Sequence, residues 1–203
     1  VAVSSIHGAL HDPDGLDVAA LLKLRADHGD LALKEYGPLS AQGLPNQTTF
    51  DSGEVDFGGR KVMYGYLLQA HTDGDLYVHL PQANVIVAGG AVSSEGWPII
   101  DYNSGGWLGG LVEGLRELIE VADANTKIVP ANGPVITRAD LEAQRDMYAA
   151  IFDRLQKLLR KGMAPDEAVA ANPTKEYDAK WGDPTQFVTL AFKSLWGHFA
   201  PDA

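Results

Sequence analysis

The chain has 203 residues, a formal net charge of −11 and no cysteine. This length suits one sizeable domain, and the missing cysteine excludes disulfides and thiolate-bound zinc. The acidic excess disfavours a surface for nucleic acid or anionic membrane, and the one basic run, KLLRK at residues 157–161, falls at the end of a predicted helix, where cations suit the dipole. No stretch is apolar enough to cross a bilayer. We therefore expect a single domain over residues 1–203 that binds neither nucleic acid nor membrane.

The first fifty residues carry mixed signals. VAVSSI predicts a buried strand, the following HGALHDPDG a polar turn, and Asp17 the N-cap of a short helix. Residues 29–46 hold several Gly and Pro and are predicted to be mostly loop. The chain begins with Val directly at a strand, so an upstream segment that has been removed, or that belongs to another chain, is one expectation.

Residues 47–88 consist of short β-branched and aromatic runs separated by turn residues. They predict an antiparallel meander of TTF, KVMYGYLLQ, DLYVHL and NVIVAG, with turns at residues 58–59, 73–75 and 81–84. In DLYVHL, three apolar residues alternate with Tyr77 and His79: Leu76, Val78 and Leu80. This alternation indicates a strand with one buried face.

The period becomes helical after Ser104. Six apolar residues share one face of the predicted helix: Leu108, Leu111, Val112, Leu115, Leu118 and Ile119. The strand KIVPA follows, then Thr137 and Asp140 form a capping box for a long helix that ends near Gly162. Shorter helices are predicted from Pro165 and from Asp183-Pro184. Hairpin-linked strands followed by helices that cover one face predict an α/β sandwich of the α+β type, not a parallel βαβ fold.

Four segments resemble motifs of the metallo-β-lactamase superfamily: AHTDGDLYVHLPQANVIVAGG, IIDYNSGGWLGGLVEGL, VPANGPV and ANPTKEYDAKW. The first is similar to the family's AHTxGD turn and the hairpin that ends in TGD. The second is similar to its D-x-GSGGSLDG helix entry, and the third to its VPGHGPV turn. The resemblance covers residues 48 to the end and implies the family's αββα sandwich. Relatives place a first sheet before the HxHxDH loop, so the resemblance also implies that much of the N-terminal sheet is missing.

The family's metal site has seven ligands, of which four come from the HxHxDH loop. Setting SSIHGAL against this loop places Ser5 and His7 at the first pair of ligands. Ala9 and Leu10 then stand where the aspartate and the third histidine belong. Ala and Leu offer no ligand atom.

The other three ligand positions lie later in the chain. His71 matches the histidine of AHTxGD, Gly90 stands at the aspartate of TGD, and Asn132 stands at the histidine of VPGHG. A catalytic zinc needs about three protein ligands plus a water, and a two-metal site needs a bridging carboxylate. We therefore expect no resident metal and no other cofactor.

A shifted metal site is an alternative. His7, His11, one aspartate of DPDG and His71 are suitable ligand types for a weak mononuclear zinc hydrolase. A turn whose aspartates cap their own backbone explains the same residues without a metal, and we favour that interpretation.

Several further residues are candidates for chemistry. A carboxylate of HTDGD could orient His71 as a general base, although in the resembled family these aspartates mainly organise the turn. Trp97, Asp101 and Tyr102 follow the hairpin in a loop that lines the family's substrate cleft, and a Trp–Tyr pair could stack a cyclic ligand. Packing of these aromatic residues on the core is an equal alternative.

These observations favour a protein of this fold that has lost most metal ligands and acts as a non-catalytic or partner subunit of a hydrolase-type assembly. The alternative is a metal-independent hydrolase or lyase acting on a small cyclic or ester-like substrate. In it, His7, His71 and Asn132 would be catalytic, and Trp97, Asp101 and Tyr102 would contact the substrate. We expect a second polypeptide or a homodimer to supply the missing sheet. The resemblance is to bacterial proteins, and the sequence leaves periplasm and cytoplasm both open.

Overall fold

A computed structural model describes residues 51–199 continuously, together with residues 17, 20, 23, 24, 27 and 49 and the backbone of two N-terminal strands. The chain divides into two compact units, Val1–Thr49 and Phe50–Ala203. His7 and the predicted loop at residues 29–46 lie outside the described residues. The expectation of a single domain over residues 1–203 stays a prediction.

In the first unit, strand β1 (Ala2–Ser5) pairs antiparallel with strand β2 (Gly8–His11). Residues 8–11 were expected in a polar turn, and this expectation is wrong, because GALH has enough apolar character to form a hairpin partner for AVSS. The N-cap prediction is confirmed: the Asp17 carboxylate accepts the backbone N–H of Ala20 at 3.0 Å, and residues 20, 23, 24 and 27 are helical.

The second unit contains a five-stranded sheet. Its strands, in spatial and chain order, are β3 (Gly53–Phe57), β4 (Arg60–Leu67), β5 (Asp75–Leu80), β6 (Val85–Ser93) and β7 (Lys127–Asn132). The first four form an antiparallel meander, and β4, β5 and β6 correspond to three of the four strands predicted for it. The β3–β4 turn uses Gly58 and Gly59 at positive φ, which suits a tight hairpin. The strand predicted at TTF is wrong, since its described residue, Thr49, lies outside the strands and GEVDF forms β3 instead.

The last strand, β7, is not joined to its neighbour in the sheet by a hairpin. β7 lies parallel to β6, and the connection between them contains helix α1 (Leu108–Val121). This is one βαβ crossover on an otherwise antiparallel sheet, so the expectation that excluded parallel pairing is wrong for this pair. Thr126 secures the connection: its hydroxyl donates to the side-chain oxygen of Asn84, beside the start of β6. A parallel neighbour requires such a crossover, which the 33 residues between Ser93 and Lys127 are long enough to make.

The buried face of the sheet is the opposite of the one that strand alternation suggested. Tyr77 is buried together with Leu67 and Ile86, whereas Leu76 is exposed. Tyr77 pairs with Gly65, and a Cβ on Gly65 would overlap the Tyr77 ring. Because residue 65 is a glycine, the Tyr77 ring can lie over the neighbouring strand on the side of the sheet that α1 covers. This side is the buried face.

Helices pack on this inner face and on one another. α1 buries all six residues of its predicted stripe. Helix α2 (Arg138–Arg160) begins at the predicted Thr137–Asp140 capping box, and Gly162, at positive φ, follows its end. The remaining helices are α3 (Pro165–Ala170), α4 (Asp178–Trp181) and α5 (Thr185–Phe199), of which α4 was not predicted. None of the described helices combines the length and the hydropathy that crossing a membrane requires.

Candidate functional site

The turn between β4 and β5 holds His71 and is organised by one carboxylate. Asp75 Oδ2 accepts the backbone N–H groups of His71 at 2.6 Å and of Thr72 at 2.8 Å. Asp73 has a different role, since its carboxylate and its carbonyl accept the Tyr66 hydroxyl. The interpretation that these aspartates organise the turn therefore agrees with the contacts.

The imidazole of His71 faces the same carboxylate. His71 Nδ1 lies 3.7 Å from Asp75 Oδ1, an ion-pair distance that is too long for a hydrogen bond. The polar contact with Asp75 raises the pKa of His71, burial opposes it, and the charges of Asp75 and Asp101 add to the rise. Burial alone would raise the pKa of Asp75, but His71 and the turn N–H groups lower it below its ordinary value. The pair is thus a partly buried imidazole–carboxylate ion pair when the ring is protonated.

Gly90, at the position of the TGD aspartate, leaves a space that the His71 ring fills. A Cβ built on Gly90 would lie 2.8 Å from both Cγ and Nδ1 of His71. Real Cβ atoms do not approach a ring this closely, so a larger residue at position 90 requires the imidazole to move. The ring thus fills the volume where any side chain of residue 90 would begin.

Asn132 makes a structural hydrogen bond at the end of β7. Its Nδ2 donates to the backbone carbonyl of Glu95 at 2.7 Å, and the Ser94 hydroxyl donates to the carbonyl of Pro134 at 2.7 Å. The backbone N–H of Ser94 donates to the Asn132 carbonyl. These bonds tie the ANGP turn to the loop after β6.

The residues present do not fit the metal that the family resemblance implies. The space beside Gly90 is filled by His71, and the Asn132 amide is directed to Glu95. Within the described portion of the chain, no group of three or more His, Asp or Glu side chains is arranged to hold a metal ion.

Asp101 and Tyr102 lie in a loop that packs against the His71 turn. The Asp101 N–H donates to the His71 carbonyl at 3.0 Å, and the Asp73 N–H donates to the Ser104 carbonyl at 2.7 Å. Gly106 permits this approach, because a Cβ there would overlap the His71 carbonyl. The glycines of SGGWLGG thus allow close backbone contact between α1 and this turn.

Tyr102 lines a small cavity of about 190 Å³ beside this loop. The indole of Trp107 stacks on the ring of His198 in the same wall, with ring centroids 3.6 Å apart. The structure therefore brings His71, Asp101 and Tyr102 to one region of the molecule.

Trp97 lies elsewhere. Its indole stacks on Phe187 with centroids 4.6 Å apart, lies 5.5 Å from Trp181, and donates to the Gly182 carbonyl at 3.0 Å. None of these contacts joins Trp97 to Tyr102. The catalytic roles of His7, His71 and Asn132 and the substrate-binding roles of Trp97, Asp101 and Tyr102 stay predictions.

A second cavity was missed by the sequence reasoning. It has a volume of about 260 Å³ and lies between the ANGP turn, α2 and α4. Its buried polar residue is Gln144, which follows Leu141 on the apolar stripe of α2. A polar residue on a core-facing helical stripe is the signal that could have revealed it.

Comparisons with known proteins identify solved structures with a similar fold. No protein-family model matches the chain, and no curated protein does. The solved structure of the stereoselective inverting sec-alkylsulfatase Pisa1 from Pseudomonas sp. is similar, with 14% identity, a TM-score of 0.58, and coverage of 79% of this chain and 27% of that one. Its S233Y F250G double mutant gives 16% identity and a TM-score of 0.59 over the same shares. A metallo-β-lactamase from Pontibacter korlensis matches 66% of this chain and 55% of that chain at 17% identity and a TM-score of 0.44.

The fold of part of the chain follows from this likeness together with the sheet and helices described above. It is a metallo-β-lactamase-type fold, of the mixed α/β type expected from the sequence. The chain spans about a quarter of the length of the alkylsulfatases it matches. At this level of identity the likeness concerns the fold alone.

Proposed function

We propose that this chain is a non-catalytic member of the metallo-β-lactamase fold that acts as a partner subunit of a hydrolase-type assembly. The observation that carries the proposal is the packing of His71 against Gly90, with Cγ and Nδ1 of the ring 2.8 Å from the place of a Cβ. A two-metal hydrolase needs a bridging carboxylate at its centre. Here glycine stands at that position and an imidazole occupies the neighbouring volume.

The Asn132 contact supports the same proposal. An amide side chain is a poor zinc ligand compared with imidazole, because neutral amide oxygen suits hard cations. Its nitrogen also donates to Glu95, so rotation toward the Gly90 region would break a bond that holds the ANGP turn. Gly90 and Asn132, two positions where the resemblance predicts a metal ligand in relatives, therefore both contribute to local packing in this chain.

The outer face of the sheet supports the partner role. Four apolar residues on this face are exposed: Val55, Phe57, Leu76 and Val87. Several exposed apolar residues on one face of a sheet suit an interaction surface. Among the described strands, β3 is also an edge strand of the five-stranded sheet. We propose that a second copy of this chain, or a second polypeptide, covers this face.

Metal titration together with a hydrolysis panel tests the catalytic part. Zinc is titrated calorimetrically into chelator-treated protein, into His71→Ala, and into His198→Ala as the matched control. Hydrolysis of a β-lactam, a lactone, an aryl ester, a thioester and a secondary alkyl sulfate is followed with zinc and with chelator. We expect no stoichiometric zinc and no turnover in any of the three proteins. Zinc-dependent turnover lost only in His71→Ala contradicts the proposal.

The same panel separates the alternative function. The His71–Asp75 ion pair is the observation that favours it, since a carboxylate-oriented imidazole is the usual arrangement of a general base. Turnover that survives chelator, is lost in His71→Ala and is retained in His198→Ala identifies a metal-independent hydrolase. That result replaces the non-catalytic proposal.

Light scattering after size exclusion tests the partner part. We expect an assembly larger than one chain, and we expect Phe57→Asp to weaken it while Phe199→Asp, an exposed phenylalanine on α5, leaves it unchanged. A stable, non-aggregating monomer of the unmodified chain contradicts the partner role. An unmodified assembly that Phe57→Asp does not disturb places the interface on another surface.

A further inference from the structure

The outer face of the five-stranded sheet, on the side away from α1, is apolar across the full width of the sheet. The strand register places five residues in one row, each paired with the next: Gly53, Tyr64, Val78, Val87 and Val129. Paired residues of neighbouring strands point to the same side of a sheet. None of the five is buried, whereas residues that point to the other side of the same strands are buried: Gly65, Tyr77, Ile86 and Ile128. The row is therefore a continuous band on the outer face.

A second row lies beside this band. Val55 pairs with Val62, and Leu80 pairs with Val85. Each of these residues is two positions along its strand from a member of the first row, so it points to the same side. Val55 is 49% exposed, and Phe57, the next outward residue of β3, is 77% exposed. The outer face thus presents contiguous apolar side chains to solvent.

The outer face is large enough for a stable contact between two chains. Five strands about 4.8 Å apart, each with roughly six residues at about 3.3 Å, give a flat area of roughly 480 Å². Two such faces together bury roughly 1,000 Å², before the relief of the side chains is counted. This is the area at which specific interfaces begin.

A flat apolar sheet face is matched in shape by another sheet face. Two sheets pack about 10 Å apart, with their strands aligned within about 30°. In the described five-stranded sheet, α1 packs on one face, and the outer face is the one that a second copy can offer in return. A contact between the same surface of two copies is the commonest form of symmetric dimer. The layers of such a dimer run helix, sheet, sheet, helix.

Two cations on the outer face determine how the copies are oriented. Arg60 pairs with Phe57 and Lys127 pairs with Val85, so both cations point to this side. Each is the first residue of its strand, and β4 and β7 run in the same direction, so both lie at one end of the sheet. If the copies met with these ends together, Arg60 would face the partner's Lys127, and like charges across an interface are costly. An end-for-end arrangement keeps the cations at opposite ends.

We propose that a second copy of this chain covers the outer face, with the same face of both copies in contact and the copies turned end for end. The inference rests on the partner role proposed above and names the occupant of that surface. In this arrangement the two-fold axis follows the first row, so that Val78 lies opposite the partner's Val78. Leu76 lies opposite the partner's Leu80.

Cysteine cross-linking tests this arrangement, because the chain has no cysteine of its own. Full-length Val78→Cys, Leu76→Cys and Leu80→Cys are treated with a short bismaleimide, and adducts are identified by intact mass. We expect Val78→Cys to link to itself, and Leu76→Cys to link in a mixture with Leu80→Cys but not alone. Two copies of residue 76 would lie about 13 Å apart along the strands, in addition to the spacing between the sheets.

Glu113→Cys is the matched control, since this position is exposed on α1 and is expected to form no adduct. Light scattering and thermal unfolding confirm that each variant is folded and assembled before linking. An assembled Val78→Cys protein that forms no adduct overturns the sheet contact. Adducts of Leu76→Cys alone, with none in the mixture, overturn the end-for-end orientation.

Two exposed valines give a second test. Val87 is 39% exposed on the outer face, and Val135 is 56% exposed on the turn after β7. Val87→Arg is expected to weaken association about tenfold or more, because it places an unpaired charge inside the contact. Val135→Arg is expected to leave association unchanged. Light scattering over a dilution series measures both, and equal effects of the two variants contradict the assigned surface.

These results separate the inference from the partner role on which it rests. A monomer of the unmodified chain contradicts the partner role and the inference together. An assembly that forms without the Val78→Cys adduct and is insensitive to Val87→Arg retains the partner role and overturns the proposed contact between the two sheets.

Discussion

His71 and Gly90 share one small volume: the imidazole packs where a side chain of residue 90 would start, 2.8 Å from the ideal Cβ position. His71 lies in the turn between β4 and β5, Gly90 lies within β6, and the two are 19 positions apart. Their packing explains why glycine suits position 90, since any side chain there would displace the ring and loosen the contact with Asp75.

The first prediction concerns Gly90→Ala and Gly90→Asp. We expect both to destabilise the protein by about 1–3 kcal/mol, because each adds a Cβ against the His71 ring. Chemical denaturation measures the change. Gly197→Ala is the control: nothing lies within 4 Å of its added Cβ, so its effect should be near zero or slightly stabilising. Restored zinc binding in Gly90→Asp, without loss of stability, would contradict the packing interpretation.

The second prediction compares two aspartates of one turn. Asp75→Asn should cost about 2 kcal/mol in the free energy of unfolding, because the carboxylate accepts two backbone N–H groups in a partly buried turn. Asp73→Asn, at an exposed position, should cost at most about 1 kcal/mol. The pKa of Asp75 is lowered on folding, so its contribution is present above pH 3.8 and is lost as the pH falls through the folded pKa. Equal costs for the two variants would show that Asp75 does not organise the turn.

The third prediction concerns the pH dependence of His71. Its pKa is raised on folding, so the stabilisation is fully present below the ordinary value of 6.5 and is lost as the pH rises through the folded pKa. The cost of His71→Gln should therefore be larger near about pH 5 than near about pH 9, by up to about 1 kcal/mol. Denaturation at both pH values measures it. In an Asp75→Asn background the pH dependence should shrink, and a dependence unchanged by that background would rule out the ion pair as its source.

The fourth prediction concerns a buried hydroxyl. Tyr148 is fully buried, its hydroxyl has no hydrogen-bond partner among the described residues, and burial raises its pKa strongly. Tyr148→Phe should therefore leave stability unchanged or increase it by up to about 1 kcal/mol. Tyr66→Phe is the contrasting variant, because its hydroxyl donates to Asp73, and it should lose about 1 kcal/mol. A destabilised Tyr148→Phe, measured by thermal unfolding, would indicate a partner for the hydroxyl.

Much of the local structure could be predicted. The Thr137–Asp140 capping box, the stripe of α1 and the Gly58-Gly59 hairpin all appear as expected. These features depend on residues within a few positions of one another. The resemblance to the superfamily rested on similar short segments, and the fold it implied is present over part of the chain.

For the candidate site, the sequence predicted which positions to consider but not the contacts that their side chains make. The sequence identified His71, Gly90 and Asn132 as places where the family's ligands stand, but it did not indicate that Asn132 bonds Glu95 or that His71 fills the space at Gly90. The sequence marks Gln144 as a polar residue on the apolar stripe of α2, but the cavity beside it forms only when α2, α4 and the ANGP turn pack together.

The sequence by itself determined the strands and helices whose caps, turns and periodicities are encoded by near neighbours, and it determined which ligand side chains are present. Tertiary structure decided which face of the sheet is buried, because the Tyr77 ring fits over Gly65 only when the two strands are paired. It also decided the parallel β6–β7 pairing and the contacts that His71 and Asn132 make. Each of these depends on contacts between residues far apart in the chain, whose energies become defined only when the strands and helices are packed together.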